Sequence, residues 1–381
     1  MKIGIIAFGY VPSETGGTET YFRNLLKGIS RYDKKNKYTL IVNKKYLNEA
    51  KKSTTPKGMK IIGMSILPPF HKRVLRKFKL ISKDNEALLV AKINKLDFDL
   101  VHFPFQVIFP FGLRARKVLT FMDMQERHFP EFFSKTELGF RENNYRRSVE
   151  ESDAVICISD FTKSDILRYY ESSYSKKCTT VLITDGEVKN SEISFNKYKN
   201  YMPYFYYPAA TWPHKNHSRL IKAFAEVSKK YPEYSLLLTG LNRQKSRSIT
   251  ILINKLQLSD KVINLGYLPY DEKEGVFRGA FALVFPSLFE GFGIPVLESM
   301  RMGVPVLCSN SSSLPEVGGN AVLYFSPKSI KQMKSKMLLL IEDSNLKRNL
   351  IKRGLIQSKK FSLKKMTDET IAVYNKVYHE K

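Results

Sequence analysis

The chain has 381 residues, of which 43% are hydrophobic, and a formal net charge of +27. This length and hydrophobic content are sufficient for two packed domains, which excludes an intrinsically disordered chain. The excess of lysine and arginine predicts an anionic partner, namely a nucleic acid, an acidic membrane surface or a phosphorylated substrate.

No apolar run is long enough for a membrane-spanning helix. The first residues, MKIGIIAFGY, are too few and too interrupted by glycine for a signal peptide. Cys157, Cys178 and Cys308 show neither a pairing pattern nor the spacing of metal ligands. We therefore expect a cytoplasmic protein with reduced cysteines.

Strands and helices alternate through the first half of the chain. Residues 2–8 predict a buried strand, residues 10–17 a loop with two adjacent glycines, and residues 18–30 a helix with Thr18 as its N-cap. Further strands are predicted at residues 38–42, 59–66, 100–103, 117–121 and 154–158. This alternation is typical of a parallel α/β sheet.

A polar linker is predicted at residues 187–200, and a second α/β series follows it. Its elements are a helix at residues 218–229 and strands at residues 204–207, 235–239, 262–265 and 282–285. We therefore expect two Rossmann-like, doubly wound domains, at residues 1–195 and 196–362. A final helix within residues 363–381 is expected to return to the first domain. Domains of this kind bind ligands at the carboxyl ends of their strands, so the site is expected in the cleft between them.

Two carboxylates, Glu290 and Glu298, stand eight residues apart on either side of a glycine turn at residues 291–293. A proline at the start of the following segment is typical of the first turn of a helix. A strand, a glycine loop and a helix present backbone N–H groups and a partial positive charge to an anion. A carboxylate can accept hydrogen bonds from two vicinal hydroxyls of a sugar or ribose. The segment therefore predicts a site for a phosphate and a polyol, with two solvated surface carboxylates as the alternative.

Six segments of the chain match a known family: GGTETYFRNLLKGI, DLVHFPF, AVICISDFTKSDI, YYPAATWPHKNHSRLIKAF, NLGYLPYDE and VFPSLFEGFGIPVLESMRMGVPVLCSNSSSLPEVGG. In these segments, which extend over nearly the whole sequence, the chain resembles the family 4 retaining glycosyltransferases of the GT-B fold. The last segment contains the Glu-x7-Glu pattern of that family and is highly specific.

The resemblance implies transfer of a hexose, with mannose as one candidate, from a nucleotide diphosphate sugar. The implied acceptor is a glycan or a lipid-linked glycan in the biosynthesis of a cell-surface polysaccharide or lipopolysaccharide. It also implies retention of anomeric configuration with neither metal nor cofactor, through same-face attack in which the leaving phosphate takes the acceptor's proton. The alternatives are an epimerase or synthase of the same fold, an inactive relative, or a nucleic-acid-binding protein, for which the sequence carries no known motif.

The resemblance also implies roles for individual residues. Lys215 matches the lysine that stabilises the departing diphosphate, Glu298 the carboxylate that binds the ribose, and Glu290 the one that faces the transferred sugar. Asp123 matches the second residue of a catalytic His-Asp pair. The other implied donor-binding residues are Gly16 and Gly17 in the first glycine loop, Gly291, Phe292, Gly293 and Ile294 at the second, and Tyr267, for which core packing is the alternative.

Two positions depart from the family pattern. Met122 stands where many relatives carry the histidine of the His-Asp pair, and methionine cannot donate a hydrogen bond from its side chain. His102 and His128 are candidates to replace that histidine. Ala209 stands where an arginine often precedes the lysine, so that diphosphate stabilisation depends on Lys215, on the helix dipole or on another basic residue such as Arg243.

Three further sequence patterns have a functional interpretation that we compare with a structural one. Asp97 and Asp99 form an Asp-x-Asp pattern directly before a strand, for which we expect no metal role. The HKNH block lacks the further ligands of a zinc site. The segment at residues 71–79, HKRVLRKFK, predicts an amphipathic helix that lies on the anionic inner face of the cytoplasmic membrane. The alternative is that its apolar side packs on its own sheet.

Overall fold

The structure is a computed structural model, and it describes residues 1–12, 16–53, 56, 58–66, 83–186, 196–240 and 246–380. The chain divides into two compact units, one formed by Met1–Gly186 with Ser362–Lys381 and the other by Glu187–Phe361. The first division lies close to the predicted domain boundary after residue 195. Most of the predicted linker at residues 187–200 lies outside the described residues.

The first unit contains seven strands in its described part: β1 (Lys2–Ala7), β2 (Lys37–Asn43), β3 (Lys60–Met64), β4 (Leu100–Phe103), β5 (Arg116–Phe121), β6 (Ala154–Cys157) and β7 (Cys178–Thr180). They form one parallel sheet in the order β3-β2-β1-β4-β5-β6-β7. β4 is buried along its whole length and β1 after its first residue. Strands covered on both faces are continuous apolar runs, which is the pattern that the sequence shows.

The second unit contains six strands in its described part: β8 (Tyr204–Pro208), β9 (Ser235–Thr239), β10 (Val262–Asn264), β11 (Ala282–Phe285), β12 (Val306–Ser309) and β13 (Leu323–Phe325). They form a second parallel sheet in the order β10-β9-β8-β11-β12-β13. The prediction of two doubly wound α/β sheets is therefore confirmed.

Helices follow most of the strands in both units: α1 (Gly17–Tyr32), α2 (Leu47–Ser53), α3 (Lys83–Asn94), α4 (Gln125–His128), α5 (Lys135–Glu151), α6 (Asp160–Tyr169), α7 (His217–Lys230), α8 (Arg247–Lys255), α9 (Tyr270–Gly279), α10 (Ile294–Arg301), α11 (Leu314–Gly318), α12 (Ile330–Glu342), α13 (Ser344–Ser358) and α14 (Leu363–His379). Short 3₁₀ helices lie at Lys44–Tyr46, Pro130–Phe132, Ser172–Lys176, Asn196–Tyr201 and Pro213–Lys215.

The structure corrects the predicted start of the first helix. Thr18 is not its N-cap, because α1 begins at Gly17 and its N-cap is Gly16, which has a φ of +54° and no side chain to cap the helix. A glycine adopts this left-handed conformation at little cost, so the chain turns into the helix before the threonine is reached. The sequence analysis also missed β7, β12 and β13.

The C-terminal helix α14 packs on α1 in the first unit, where Gly28 leaves room for Thr367. It is also tied to the sheet by a buried hydrogen-bond network. The hydroxyl of Tyr374 lies 2.6 Å from Nδ1 of His102 on β4, and Nε2 of the same ring lies 2.7 Å from the hydroxyl of Thr120 on β5. Because an unpaired buried polar group is costly, this network fixes the position of α14 on the sheet.

The strand β8 is an aromatic run whose hydroxyls are all satisfied. Tyr204 donates to the carbonyl of Val276 at 2.8 Å, and Tyr206 bonds to Thr239 at 2.7 Å. The hydroxyl of Tyr207, at the end of the strand, donates to the carbonyl of Lys215 at 2.6 Å. The packed core of the second unit thereby holds the backbone of Lys215 in place.

Candidate functional site

The strand β11 passes into α10 through the predicted glycine turn. All four residues of β11 are buried, and α10 begins at Ile294 with a proline in its first turn, as predicted. Gly293 is the N-cap of α10 and has a φ of +113°. A Cβ at this position would lie 2.6 Å from Cδ2 of Leu314, so both the backbone conformation and the space require glycine.

Serine side chains hold the turn in place. The backbone N–H of Glu290 donates to Oγ of Ser312 at 2.8 Å. The hydroxyl of Ser313 donates to the carbonyls of Glu290 and Phe292, at 2.8 and 2.9 Å. The turn is therefore fixed by the residues just before α11, and its exposed groups are held at defined positions.

The structure brings Lys215 and Glu290 together. The Nζ atom of Lys215 lies 2.6 Å from Oε1 of Glu290, and the two side chains are 18% and 13% exposed. Asn216, which has a φ of +61°, donates through its side-chain amide to the carbonyls of Pro286 and Pro327, at 2.9 and 2.7 Å. The bond to Pro286 anchors the HKNH block to the β11–α10 loop, and the bond to Pro327 anchors it to the segment after β13, which places the lysine against the carboxylate.

Lys215 is the charged residue of the HKNH block at neutral pH. Burial lowers the pKa of His214 to about 2 and the pKa of His217 to about 4, and the nearby lysine lowers both further. The two rings are therefore neutral, and the positive charge of this block is concentrated at the lysine.

Glu298 lies on α10 with its side chain 3% exposed, and it is paired with a residue that the sequence analysis missed. Nζ of Lys273, on α9, lies 2.8 Å from one carboxylate oxygen of Glu298 and 2.7 Å from the other. A buried carboxylate needs a cation or hydrogen-bond donors. The apolar neighbours of Glu298 signalled burial and therefore a partner, but nothing in the sequence distinguishes Lys273 from the many other lysines.

The remaining predicted residues of the second unit differ in their exposure. Phe292 and Ile294 are buried, and the ring of Phe292 packs against Phe361 at 5.7 Å, so they offer a ligand only their backbone groups. Tyr267 is 76% exposed, which excludes the core-packing alternative. Gly291, between Glu290 and Phe292, is partly exposed.

The predicted residues of the first unit lie at the carboxyl ends of its strands. Gly16 and Gly17 are exposed at the start of α1. Asp123 follows β5, its carboxylate accepts the N–H of Gln125 at 3.1 Å, and its backbone is held by both ends of the Gln106 amide. Asp123 is thus fixed in place and partly exposed.

The two departures from the family pattern are both buried. Met122 and Ala209 are 9% and 6% exposed. His102 does not replace the missing histidine, because both of its ring nitrogens are bonded within the core, where burial lowers its pKa to about 3. Nε2 of His128 is bonded to Asp165 at 2.7 Å. The suggested substitute Arg243 lies outside the described residues.

The Asp-x-Asp pattern has a structural explanation. Asp99 accepts the backbone N–H of Lys2 at 2.6 Å and so ties the start of β4 to β1. Asp97 lies 3.5 Å from the Lys2 ammonium with its side chain 90% exposed. Within the described residues, no three histidine, cysteine or acidic side chains are grouped as metal ligands. Likewise, no described helix is long and apolar enough to cross a membrane.

Two family models match the chain, one described as Glycosyltransferase Family 4 over residues 15–181 and one as Glycosyl transferases group 1 over residues 190–356. O-antigen chain mannosyltransferase B of Escherichia coli is 30% identical over 269 residues, which are 68% of this chain and 70% of that protein. O-antigen chain mannosyltransferase RfbU of Salmonella typhimurium is 29% identical over 225 residues, 58% of this chain and 60% of that protein. The match to this second relative spans less than two thirds of its length.

The fold is shared with sucrose-phosphate synthase from Thermosynechococcus elongatus, with a TM-score of 0.82, 17% identity and coverage of 99% of both chains. Two parallel-sheet α/β units, one of which carries a glycine turn flanked by two carboxylates, define a glycosyltransferase of the GT-B class. The chain belongs to glycosyltransferase family 4. The family 4 model matches its N-terminal half, and the model described as glycosyl transferases group 1 matches its C-terminal half.

Proposed function

We propose that this enzyme transfers mannose from a nucleotide diphosphate sugar to a glycan or lipid-linked glycan, with retention of anomeric configuration, in the biosynthesis of a cell-surface polysaccharide. The observation that carries the proposal is the pair of carboxylates beside the glycine turn, the partly buried Glu290 and the buried Glu298, each held by a lysine. The choice of mannose is supported by the two related O-antigen mannosyltransferases.

In the proposed site the nucleotide diphosphate is bound by the groups around α10. The ribose hydroxyls donate to Glu298, and the diphosphate lies against the positive N-terminal end of α10 and the Lys215 ammonium. An ammonium has three N–H donors, so Lys215 can keep its bond to Glu290 while it binds a phosphate oxygen. Charge that develops on the departing diphosphate then meets a cation that is already in position.

The proposed role of Glu290 is to orient the transferred sugar. Its carboxylate accepts hydrogen bonds from the sugar hydroxyls, and the backbone of residues 291–293 supplies donors. In the transfer the bond between the anomeric carbon and the phosphate oxygen breaks, the bond to the acceptor oxygen forms on the same face, and the acceptor proton passes to the leaving phosphate. No protein base, metal or cofactor takes part in this scheme.

Asp123, Gly16 and Gly17 are the proposed contributions of the first unit. The glycines allow the backbone close to the donor, and Asp123 is the residue of the family pair that this chain retains beside Met122. Attachment to the inner membrane face through residues 71–79 stays a prediction, because that segment lies outside the described residues.

The proposal is tested by incubating the enzyme with a panel of nucleotide sugars, including GDP-mannose and UDP-glucose, and a membrane extract as the source of acceptor. We expect one nucleotide sugar to label the acceptor with the anomeric configuration of the donor, and Glu298→Gln to weaken binding of the corresponding nucleoside diphosphate. A product formed without acceptor would indicate an epimerase. Transfer to a small phosphorylated sugar would indicate a synthase, and no binding of any nucleotide would contradict the proposal.

A further inference from the structure

The outer face of α13, in the second unit, carries a row of basic and apolar residues. Arg348, Lys352, Leu355, Ile356 and Lys359 are all exposed and occur at positions i, i+4, i+7, i+8 and i+11. Because an α-helix has 3.6 residues per turn, these five side chains lie on one face of the helix. We refer to them as the basic stripe.

The opposite face of α13 is packed, so the orientation of the stripe is fixed. Gly354 lies against Met300 of α10, where an added Cβ would be 3.3 Å from the methionine Cγ. The side-chain amide of Gln357 donates to the carbonyl of Val317 at 3.1 Å. Leu350 is 3% exposed. The helix cannot turn its basic stripe inward without losing these contacts.

The charge of this region has a single sign. Residues 344–360 contain six lysines and arginines and no aspartate or glutamate. Within the described part of the chain, none of the basic residues of the stripe forms an ion pair with a carboxylate. On α14, in contrast, Lys364 and Lys365 are paired with Asp368 and Glu369. The positive charge of the stripe is therefore directed at the solvent.

Two large apolar side chains interrupt this charged face. Leu355 is 40% exposed and Ile356 is 57% exposed. Adjacent exposed apolar residues surrounded by cations fit a partner that offers both negative charge and hydrocarbon. A nucleic acid backbone offers the charge alone.

We propose that the basic stripe of α13 binds an anionic phospholipid membrane surface, with Leu355 and Ile356 entering the interface and the basic residues contacting the headgroups. This contact is distinct from the predicted helix at residues 71–79, and it does not depend on the identity of the donor or acceptor sugar. Its place on the second unit would attach that unit to the membrane directly.

The experiment is co-sedimentation of the full chain with vesicles of phosphatidylcholine alone, or of phosphatidylcholine and phosphatidylglycerol in equal parts. Wild type is expected to bind only the anionic vesicles, and less strongly at high salt. The double variants Leu355→Ser/Ile356→Ser and Lys352→Glu/Lys359→Glu should each reduce the partition coefficient by about tenfold or more.

Matched controls lie on α8, where Ile251 is also 57% exposed and Lys255 is an exposed lysine. Ile251→Ser and Lys255→Glu should leave vesicle binding unchanged, and circular dichroism should show all variants folded. Equal binding by wild type and both α13 variants would overturn the proposal. So would a loss of binding in the α8 controls as large as in the α13 variants. If the charge reversal instead weakened binding to duplex DNA and spared vesicle binding, the partner would be a nucleic acid.

Discussion

The charge arrangement of the site depends on a few residues, and Lys215 is the one on which the proposed chemistry depends most. Its ammonium is 2.6 Å from Glu290 and its backbone is held by Tyr207 and by the hydrogen bonds of Asn216. A cation that is already positioned does not have to move when the diphosphate departs. Such preorganisation is what makes electrostatic catalysis effective.

Lys215→Met should therefore lower kcat by about 10²-fold or more and raise KM much less, because the charge on the diphosphate is greatest in the transition state. Steady-state kinetics with the nucleotide sugar that labels the acceptor provide the measurement. Lys222→Met, which removes an exposed lysine of α7, is the matched control and should keep wild-type kinetics. Equal rates for Lys215→Met and wild type would rule out this role.

Among the elements, the C-terminal helix α14 owes its position on the first unit to a buried hydrogen-bond network as well as to apolar packing. The hydroxyl of Tyr374 is the partner of Nδ1 of His102, and both side chains are fully buried. Removing the hydroxyl leaves a buried ring nitrogen without this partner.

Tyr374→Phe should lower the free energy of unfolding by about 1–3 kcal/mol, the cost of an unsatisfied buried polar group. Chemical denaturation of this variant and of Tyr378→Phe provides the comparison, since Tyr378 is on the same helix but 47% exposed. The Tyr378 variant should be as stable as wild type. If both variants had the same free energy of unfolding as wild type, the hydrogen-bond network would not be what holds α14 in place.

The elements that are repeated and apolar could be predicted from the sequence alone. The parallel sheets, the start of α10 and the two carboxylates beside the glycine turn follow from local patterns. The partner of Glu298 did not, because α9 meets α10 only in the folded second unit, and 25 residues separate Lys273 from Glu298. The positive-φ start of α1 at Gly16 was missed because glycine and threonine have similar N-cap preferences, so local sequence does not decide between Gly16 and Thr18.

For the molecule as a whole, histidines whose pKa is lowered by burial make stability depend on pH, and His102 and His217 are the most deeply buried of them. Burial lowers the pKa of His102, in the first unit, to about 3 and the pKa of His217, in the second unit, to about 4. An unfolded histidine has a pKa of about 6.5. Below that value the unfolded chain binds protons that the folded units do not bind. The stability that each buried, neutral histidine contributes is therefore fully present above pH 6.5 and is lost as the pH falls.

Each unit should therefore lose about 2 kcal/mol of unfolding free energy per buried histidine between pH 7 and pH 5. Urea denaturation at the two pH values is the measurement. His217→Asn should reduce the pH dependence of the second unit and leave the part that comes from His214, whereas His379→Asn, at an exposed position of α14, should not alter that of the first. A stability that does not change over this range would show that the folded histidines bind protons.

The most direct test of the proposed donor site is a crystal structure of the enzyme with the nucleoside diphosphate that it binds. We predict the ribose hydroxyls within hydrogen-bond distance of Glu298 and the diphosphate beside Lys215 and the first turn of α10. A nucleotide bound elsewhere, or a Glu298 that contacts only Lys273 in the complex, would contradict it.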